Sequence, residues 1–136
     1  MSNEIRGGRH CLFNLHVHLV FVTKYRKNIF TKDILQSMRR IFEKITEEND
    51  VKLIEFEGEV DHVRLLLNYP PKITIVKLVN SLKGVSSRLL RREYPHLETI
   101  YYKGALWSPS YFAASCGGAP LDIIKQYIQN QNTPKH

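Results

Sequence analysis

Among the residues able to do chemistry, those in Val60-Asp61-His62-Val63-Arg64-Leu65-Leu66-Leu67 are the most informative. On a strand, residues 62 and 64 project from one face while Val63 and Leu65 face the other way. Histidine at both positions after an aspartate would make a two-imidazole metal clamp; here the second position is arginine. Near the C-terminus, Tyr127 and Gln131 stand at i and i+4, stacked on one face of a helix. Taken alone, Tyr127 reads as an ordinary amphipathic-helix tyrosine. His16-Val17-His18 is a literal His-hydrophobe-His triplet on the first strand, a clamp by residue type but without an acid before it. Packed or hydrogen-bonded strand histidines are the better reading there. Cys11 and Cys116 are too few for a disulfide framework and lack metal-ligand spacing, and Cys116, before Gly117-Gly118, has no histidine close in the motif to activate its thiol.

These residues need elements to position them. A strand is predicted from His10 to Thr23, with Val17, Leu19, Val20, Phe21 and Val22 as its core, followed by the charged Lys24-Tyr25-Arg26-Lys27. Thr31 caps a helix whose Ile34, Leu35, Met38, Ile41, Phe42 and Ile45 recur at helical spacing up to Asn49. Val51 to Glu59 alternates, Gly58 with Asp61 marks a hairpin, and Leu65-Leu66-Leu67 reads as a buried strand stopped by Tyr69-Pro70-Pro71. A second helix is predicted from about Ile73 to Tyr94, with an apolar stripe of Val76, Val79, Leu82, Ser86, Leu89 and Leu90. Pro95 ends it. Trp107 to Ser115 forms a further strand, and Pro120 opens a last helix through Gln131. The order β-α-β-β-α-β plus a C-terminal helix predicts an α+β, ferredoxin-like (split βαβ) antiparallel sheet with two helices on one face.

The chain has 136 residues and a formal charge of +7. Residues 1–71 carry 11 basic and 10 acidic side chains, whereas residues 72–103 carry 7 and 2. An excess concentrated in one quarter of the chain favours a polyanion bound at one face. Lys77, Arg88, Arg91 and Arg92 fall opposite the apolar stripe of the second helix, with only Glu93 as an acid among them, and Lys83 lies on the same helix. A solvated charged face is the bland reading; an unpaired basic stripe suits a phosphate backbone. Gly84 in mid-helix costs on the order of 1 kcal/mol relative to alanine and is explained by close approach of a neighbour or by simple tolerance. Trp107 and Tyr111 suit base stacking, though core packing is the commoner use of strand aromatics; Tyr101 and Tyr102 read as packed or solvated. No apolar run of about 18 residues spans a membrane, and the N-terminus has no apolar signal region, so a cytoplasmic place is expected.

The chain resembles the single-tyrosine HUH transposases of the insertion-sequence-200-like type. The resemblance runs through Lys24-Tyr25-Arg26, Asp61-His62-Val63, Leu82-Lys83-Gly84-Val85-Ser86-Ser87-Arg88, Leu106-Trp107-Ser108-Pro109-Ser110-Tyr111-Phe112 and Tyr127-Ile128-x-x-Gln131, in that order. It implies one HUH transposase domain over residues 1–136 that acts on single-stranded, hairpin-bearing transposon ends. Tyr127 would be the catalytic nucleophile, giving a 5′-phosphotyrosine and a free 3′-hydroxyl, with Mg²⁺ or Mn²⁺ polarising the phosphate. His62 and Gln131 would hold that ion, and the protein would act as a homodimer with Tyr127 able to serve the partner's site in trans. Lys77, Lys83, Arg88, Arg91 and Arg92 would contact nucleic acid.

Arg64 departs from the family pattern at the second histidine. A guanidinium has no lone pair for a metal and keeps its charge, so it repels a cation from the place where a ligand is needed. It can still grip a phosphate as a bidentate cation. The sequence therefore predicts a transposase by descent with weak metal binding and a weakened or lost cleavage step. The competing reading is a catalytically inactive regulator that binds DNA or RNA hairpins. The aromatic consensus of RNA-recognition modules, which share the ferredoxin-like order, is absent.

Overall fold

The structure, a computed structural model, describes residues 5–8, 10–101, 105–115 and 121–131, with backbone alone for 121–124. Tyr102, Cys116, Pro120 and His136 lie outside the described residues. The long strand β3 (Leu15–Val22) is the centre of a four-stranded sheet. A two-stranded hairpin, β1 (Arg6–Gly7) and β2 (Leu12–Phe13), precedes it, and α1 (Lys32–Glu48), β4 (Lys52–Gly58), β5 (His62–Tyr69) and α2 (Ile75–Glu93) follow. Then come a short α3 (His96–Ile100), β6 (Phe112–Ser115) and α4 (Leu121–Gln129). The sheet order is β4-β5-β3-β6, antiparallel throughout, as the split-βαβ reading requires.

Period-two alternation divides the two faces of this sheet. Val17, Leu19 and Phe21 of β3 and Val63, Leu65 and Leu67 of β5 join the main core. Against them pack Ile34, Met38, Phe42 and Ile45 of α1 and Leu78, Val79, Leu82 and Leu90 of α2. The side chains of Thr31 and Thr74 cap the two helices by accepting from the Ile34 and Lys77 amides at 3.2 and 3.1 Å. Phe21 meets Phe42 and Trp107 edge-on, with centroids 6.2 and 5.7 Å apart, and the Trp107 indole donates to the buried Ser86 hydroxyl at 3.0 Å. Trp107 is thus a core residue.

The opposite face of β3 and β5 presents His16, His18, Val20 and Val22 beside Asn68, Leu66, Arg64 and His62, pair by pair. Helix α4 covers part of it, seating Ile128 on Val20 and Val22 with Phe112 and Tyr127 alongside. Among the described residues no helix is long and apolar enough to cross a membrane.

Several local expectations change. Val76 is exposed and Leu78 takes the buried place in the first turns of α2, so the stripe is shifted at its start. The predicted strand 107–115 is broken: Trp107 makes one isolated bridge to Thr23, and regular pairing begins at Phe112. Among the described residues a Cβ on Gly84 would meet nothing within 4 Å, so no close approach by them explains this glycine.

Candidate active site

The first half of the site forms where β3 leaves the sheet beside the start of β5. The Thr23 amide donates to the Asp61 carbonyl at 2.9 Å, joining the two segments. Asp61 is 7% exposed and holds two partners: Arg26 donates to its Oδ2 at 2.9 Å, and Oδ1 lies 2.8 Å from His62 Nδ1. Burial alone would raise the Asp61 carboxyl, but hydrogen bonds to His62 and Arg26, together with their charges, outweigh it and hold the pKa below the usual value. An ionised carboxylate only accepts, so His62 donates from Nδ1 and keeps Nε2 for another partner. His62 and Arg64 line a cleft of about 450 Å³ with Arg26, facing Lys125, Ile128 and Gln129 of α4. Arg26, Arg64 and Lys125 share its rim with Glu59, and the two guanidiniums are already paired with Asp61 and Glu57.

Arg64 pairs across the strands with Glu57 on one side and Val20 on the other, and its guanidinium makes an ion pair with the Glu57 carboxylate. Both side chains are substantially exposed, so the pair itself adds little stability. The position beside His62 where a clamp would need a second imidazole thus carries a cation, as the sequence indicates. Among the described residues no group of three His, Cys, Asp or Glu is placed to hold a metal ion.

The second half lies on the far side of Val22, whose carbonyl accepts from the Ser108 amide at 2.7 Å. Gln131 Oε1 accepts from the Ser108 and Ser110 hydroxyls at 2.8 and 3.2 Å. Ser110 Oγ also lies 3.0 Å from the Tyr127 hydroxyl. With its own proton directed to Gln131, Ser110 accepts from Tyr127, which is therefore held as the phenol. Burial pushes the Tyr127 pKa up, partly offset by this hydrogen bond. Below the loop, the Lys83 ammonium donates to the carbonyls of Ser108, Pro109 and Ser110 at 2.7, 3.4 and 3.2 Å, and its burial lowers its pKa.

The structure therefore brings His62 and Arg64 together in one cleft and docks Tyr127 and Gln131 on a separate serine loop. Gln131 does not line the cleft of His62. The predicted basic stripe divides as well. Among the described residues Lys77, Arg88 and Arg92 are exposed, with side chains making no hydrogen bond or ion pair, whereas Arg91 is tied to Glu98 at 3.3 Å and to the Ser87 carbonyl at 3.1 Å. Lys83 leaves the stripe altogether, because its ammonium turns inward to the three carbonyls. His16 is buried with Nε2 3.5 Å from Asn68 Nδ2, a packed strand histidine. Sequence reasoning assigned no role to Arg26, Ser108 and Ser110. Their signal was present in the Lys24-Tyr25-Arg26 and Ser108-Pro109-Ser110 stretches, but their partners lie far along the chain.

The profile of the family described as "Transposase IS200 like" matches residues 11–131. The ISDra2 transposase TnpA of Deinococcus radiodurans is 32% identical over 129 residues, covering 95% of this chain and 92% of its own. The transposase for insertion sequence element IS200 of Salmonella typhimurium is 30% identical over 122 residues, covering 90% and 80%. A crystal structure from Deinococcus radiodurans R1, assigned as a transposase, superposes with a TM-score of 0.88 at 32% identity, covering 95% of this chain and 99% of that one. A REP-associated tyrosine transposase solved on a REP hairpin shares the fold at a TM-score of 0.57 and 10% identity, covering 94% and 68%.

Proposed function

This chain belongs to the IS200-like transposase family, and we propose that it binds hairpin-bearing single-stranded transposon ends as a single HUH-type domain whose strand-cleavage step is impaired by Arg64. The observation that carries this reading is Arg64 itself, on the same sheet face as His62 and lining the same cleft.

Cleavage in this scheme begins when Tyr127 loses its proton and attacks a phosphodiester. The Tyr127 Oη–P bond forms, the P–O3′ bond breaks, and the leaving oxygen takes a proton to become a 3′-hydroxyl. The 5′-phosphotyrosine retains the bond energy, so rejoining needs no ATP. The hydroxyl network of Ser108, Ser110 and Gln131 supports the assignment because it fixes the position of the phenol oxygen, whose proton leaves to solvent. The guanidiniums of Arg26 and Arg64 at the cleft can turn from their carboxylate partners to the substrate phosphate. A homodimer in which the tyrosine serves the partner's cleft belongs to the same proposal.

The residues present do not fit a resident Mg²⁺ or Mn²⁺. His62 offers one nitrogen, Arg64 offers a charge of the wrong sign, and the Gln131 carbonyl is taken by two hydroxyls. The second reading, a hairpin-binding regulator without catalysis, is favoured by the same Arg64–Glu57 pair, which leaves the cleft a binding surface. Single-stranded DNA from the flanks of the encoding gene, incubated with the protein and Mn²⁺, tests both. Hairpin binding with at most a trace of covalent adduct supports the proposal. Robust adduct formation removes the impairment, and absence of binding removes the function.

A further inference from the structure

One turn of α2 grips the segment that leads to the tyrosine's loop. The Ser86 hydroxyl accepts from the Trp107 indole at 3.0 Å and donates to the Lys83 carbonyl at 3.2 Å. Three residues before Ser86, the Lys83 ammonium reaches the carbonyls of Ser108, Pro109 and Ser110 at 2.7, 3.4 and 3.2 Å. It also lies 5.9 Å from the Phe21 and Tyr111 ring centroids, so aromatic faces flank it.

Three consecutive carbonyls cannot meet one donor in a strand, where successive carbonyls point to alternate sides. They meet it here because residues 108–110 are curled out of the sheet. Regular pairing of β6 begins only at Phe112, and Pro109 has no amide to give to a ladder. The same curl brings the Ser108 and Ser110 hydroxyls to Gln131 Oε1 and sets Ser110 Oγ 3.0 Å from the Tyr127 hydroxyl. Ser110 is exposed, so burial does not fix its hydroxyl; the backbone on which it stands does. That backbone is tied to α2 by an ammonium whose withdrawal from water the three carbonyls offset.

We propose that Lys83 is a positioning residue for Tyr127: by gathering the carbonyls of residues 108–110 it sets the Ser110 hydroxyl against the phenol and so places the phenol oxygen. The importance of that placement for cleavage rests on the reading of Tyr127 as the nucleophile. The helix that carries the basic stripe thereby has a direct hold on the tyrosine's loop.

The test labels the tyrosines of the full chain with ¹³C at Cζ and follows the Tyr127 signal by NMR, identified by its absence in Tyr127→Phe. Ser110→Ala removes the hydroxyl alone and should displace that signal. Lys83→Met should displace it in the same direction. The Tyr94 signal, whose hydroxyl is bonded to Ser37 and Asp33, should stay in place in both variants. Adding Lys83→Met to Ser110→Ala should add nothing, because the ammonium acts through that hydroxyl. Lys83→Arg, which keeps a charged donor, should restore at least half of the displacement. In the Arg64→His chain with flanking single-stranded DNA and Mn²⁺, Lys83→Met should slow single-turnover adduct formation about tenfold at unchanged hairpin affinity. An unmoved Tyr127 signal in Lys83→Met overturns the positioning role. So does a double-variant displacement equal to the sum of the two single ones, which a merely structural lysine would give. Should the methionine variant not fold, Lys83→Gln, with a neutral donor of its own, carries the same comparison. If the Arg64→His chain forms no adduct at Tyr127, the proposed cleavage falls, and the displacement still decides whether Lys83 holds the phenol.

Discussion

His62, paired on β5, and Ser108, bonded through its amide, flank Val22, yet the two sides of that residue are built from different materials. On the His62 side the contacts are ionic: Arg26 to Asp61, Asp61 to His62, Arg64 to Glu57. On the Ser108 side they are neutral hydroxyls and one amide, with a single half-buried ammonium underneath. A cleft that must take a phosphate gains from fixed charge, whereas a phenol held among hydroxyls is fixed in position and keeps its proton until solvent removes it. On the proposed reading, Arg64 beside His62 on the ionic side decides between binding and cutting.

The contrast is broken most completely by removing the proposed nucleophile. In an Arg64→His background, Tyr127→Phe should abolish the covalent DNA adduct while hairpin affinity stays within about twofold, because the ring still packs on Phe112 at 5.7 Å. In the same background, the raised Tyr127 pKa makes the phenolate scarce at neutral pH, so the single-turnover adduct rate should climb with pH. A flat profile would assign proton removal to another step.

Lys83→Met sharpens the distinction between holding the loop and holding DNA. Three carbonyls lose a charged donor, so chemical denaturation should show a loss of about 2 kcal/mol while the salt dependence of hairpin binding is unmoved. A changed salt slope with unchanged stability would return Lys83 to the DNA surface. Arg88→Gln with Arg92→Gln should do the opposite, flattening the slope of log K against log salt by about two phosphates' worth at unchanged stability. Neutralising Arg88 with Arg91 should have a smaller effect, since Glu98 already balances Arg91. The least effect is expected at Gly84, where open space around the missing Cβ lets Gly84→Ala raise stability by about 0.5–1 kcal/mol in the same denaturation assay. Weakened DNA binding in that variant would show that the glycine admits a nucleic acid.

Much of this architecture was legible because local patterns and burial agree. The alternation in Leu15–Val22 and the helical spacing of Ile34, Met38, Phe42 and Ile45 each point to the face the fold buries. Elements with too few residues to show a period were not legible, namely the two-residue strands β1 and β2 and the five-residue α3. In the site, Asp61, His62 and Arg64 were readable because they are contiguous on one strand. The serine loop was not, because Ser110 finds Tyr127 and Gln131 some 17 and 21 residues further on, and Lys83 finds the loop 25 to 27 residues away. Helical periodicity placed Lys83 on a helix but could not say that burial turns its ammonium inward. The pairing of Arg91 with Glu98 escaped for the same reason, since the acid lies beyond the helix break at Pro95.

The central claim is that Arg64 uncouples DNA binding from DNA cleavage. The direct measurement compares the unmodified chain with Arg64→His, each incubated with the same flanking single-stranded DNA and Mn²⁺ and resolved on a denaturing gel for covalent adduct. The unmodified chain should bind the hairpin with at most a trace of adduct. The histidine variant should bind comparably and accumulate a Mn²⁺-dependent adduct at Tyr127, because imidazole supplies a neutral nitrogen ligand where a repelling charge stood. Strong adduct formation by the unmodified chain, or none in the histidine variant while hairpin binding persists, would contradict the account.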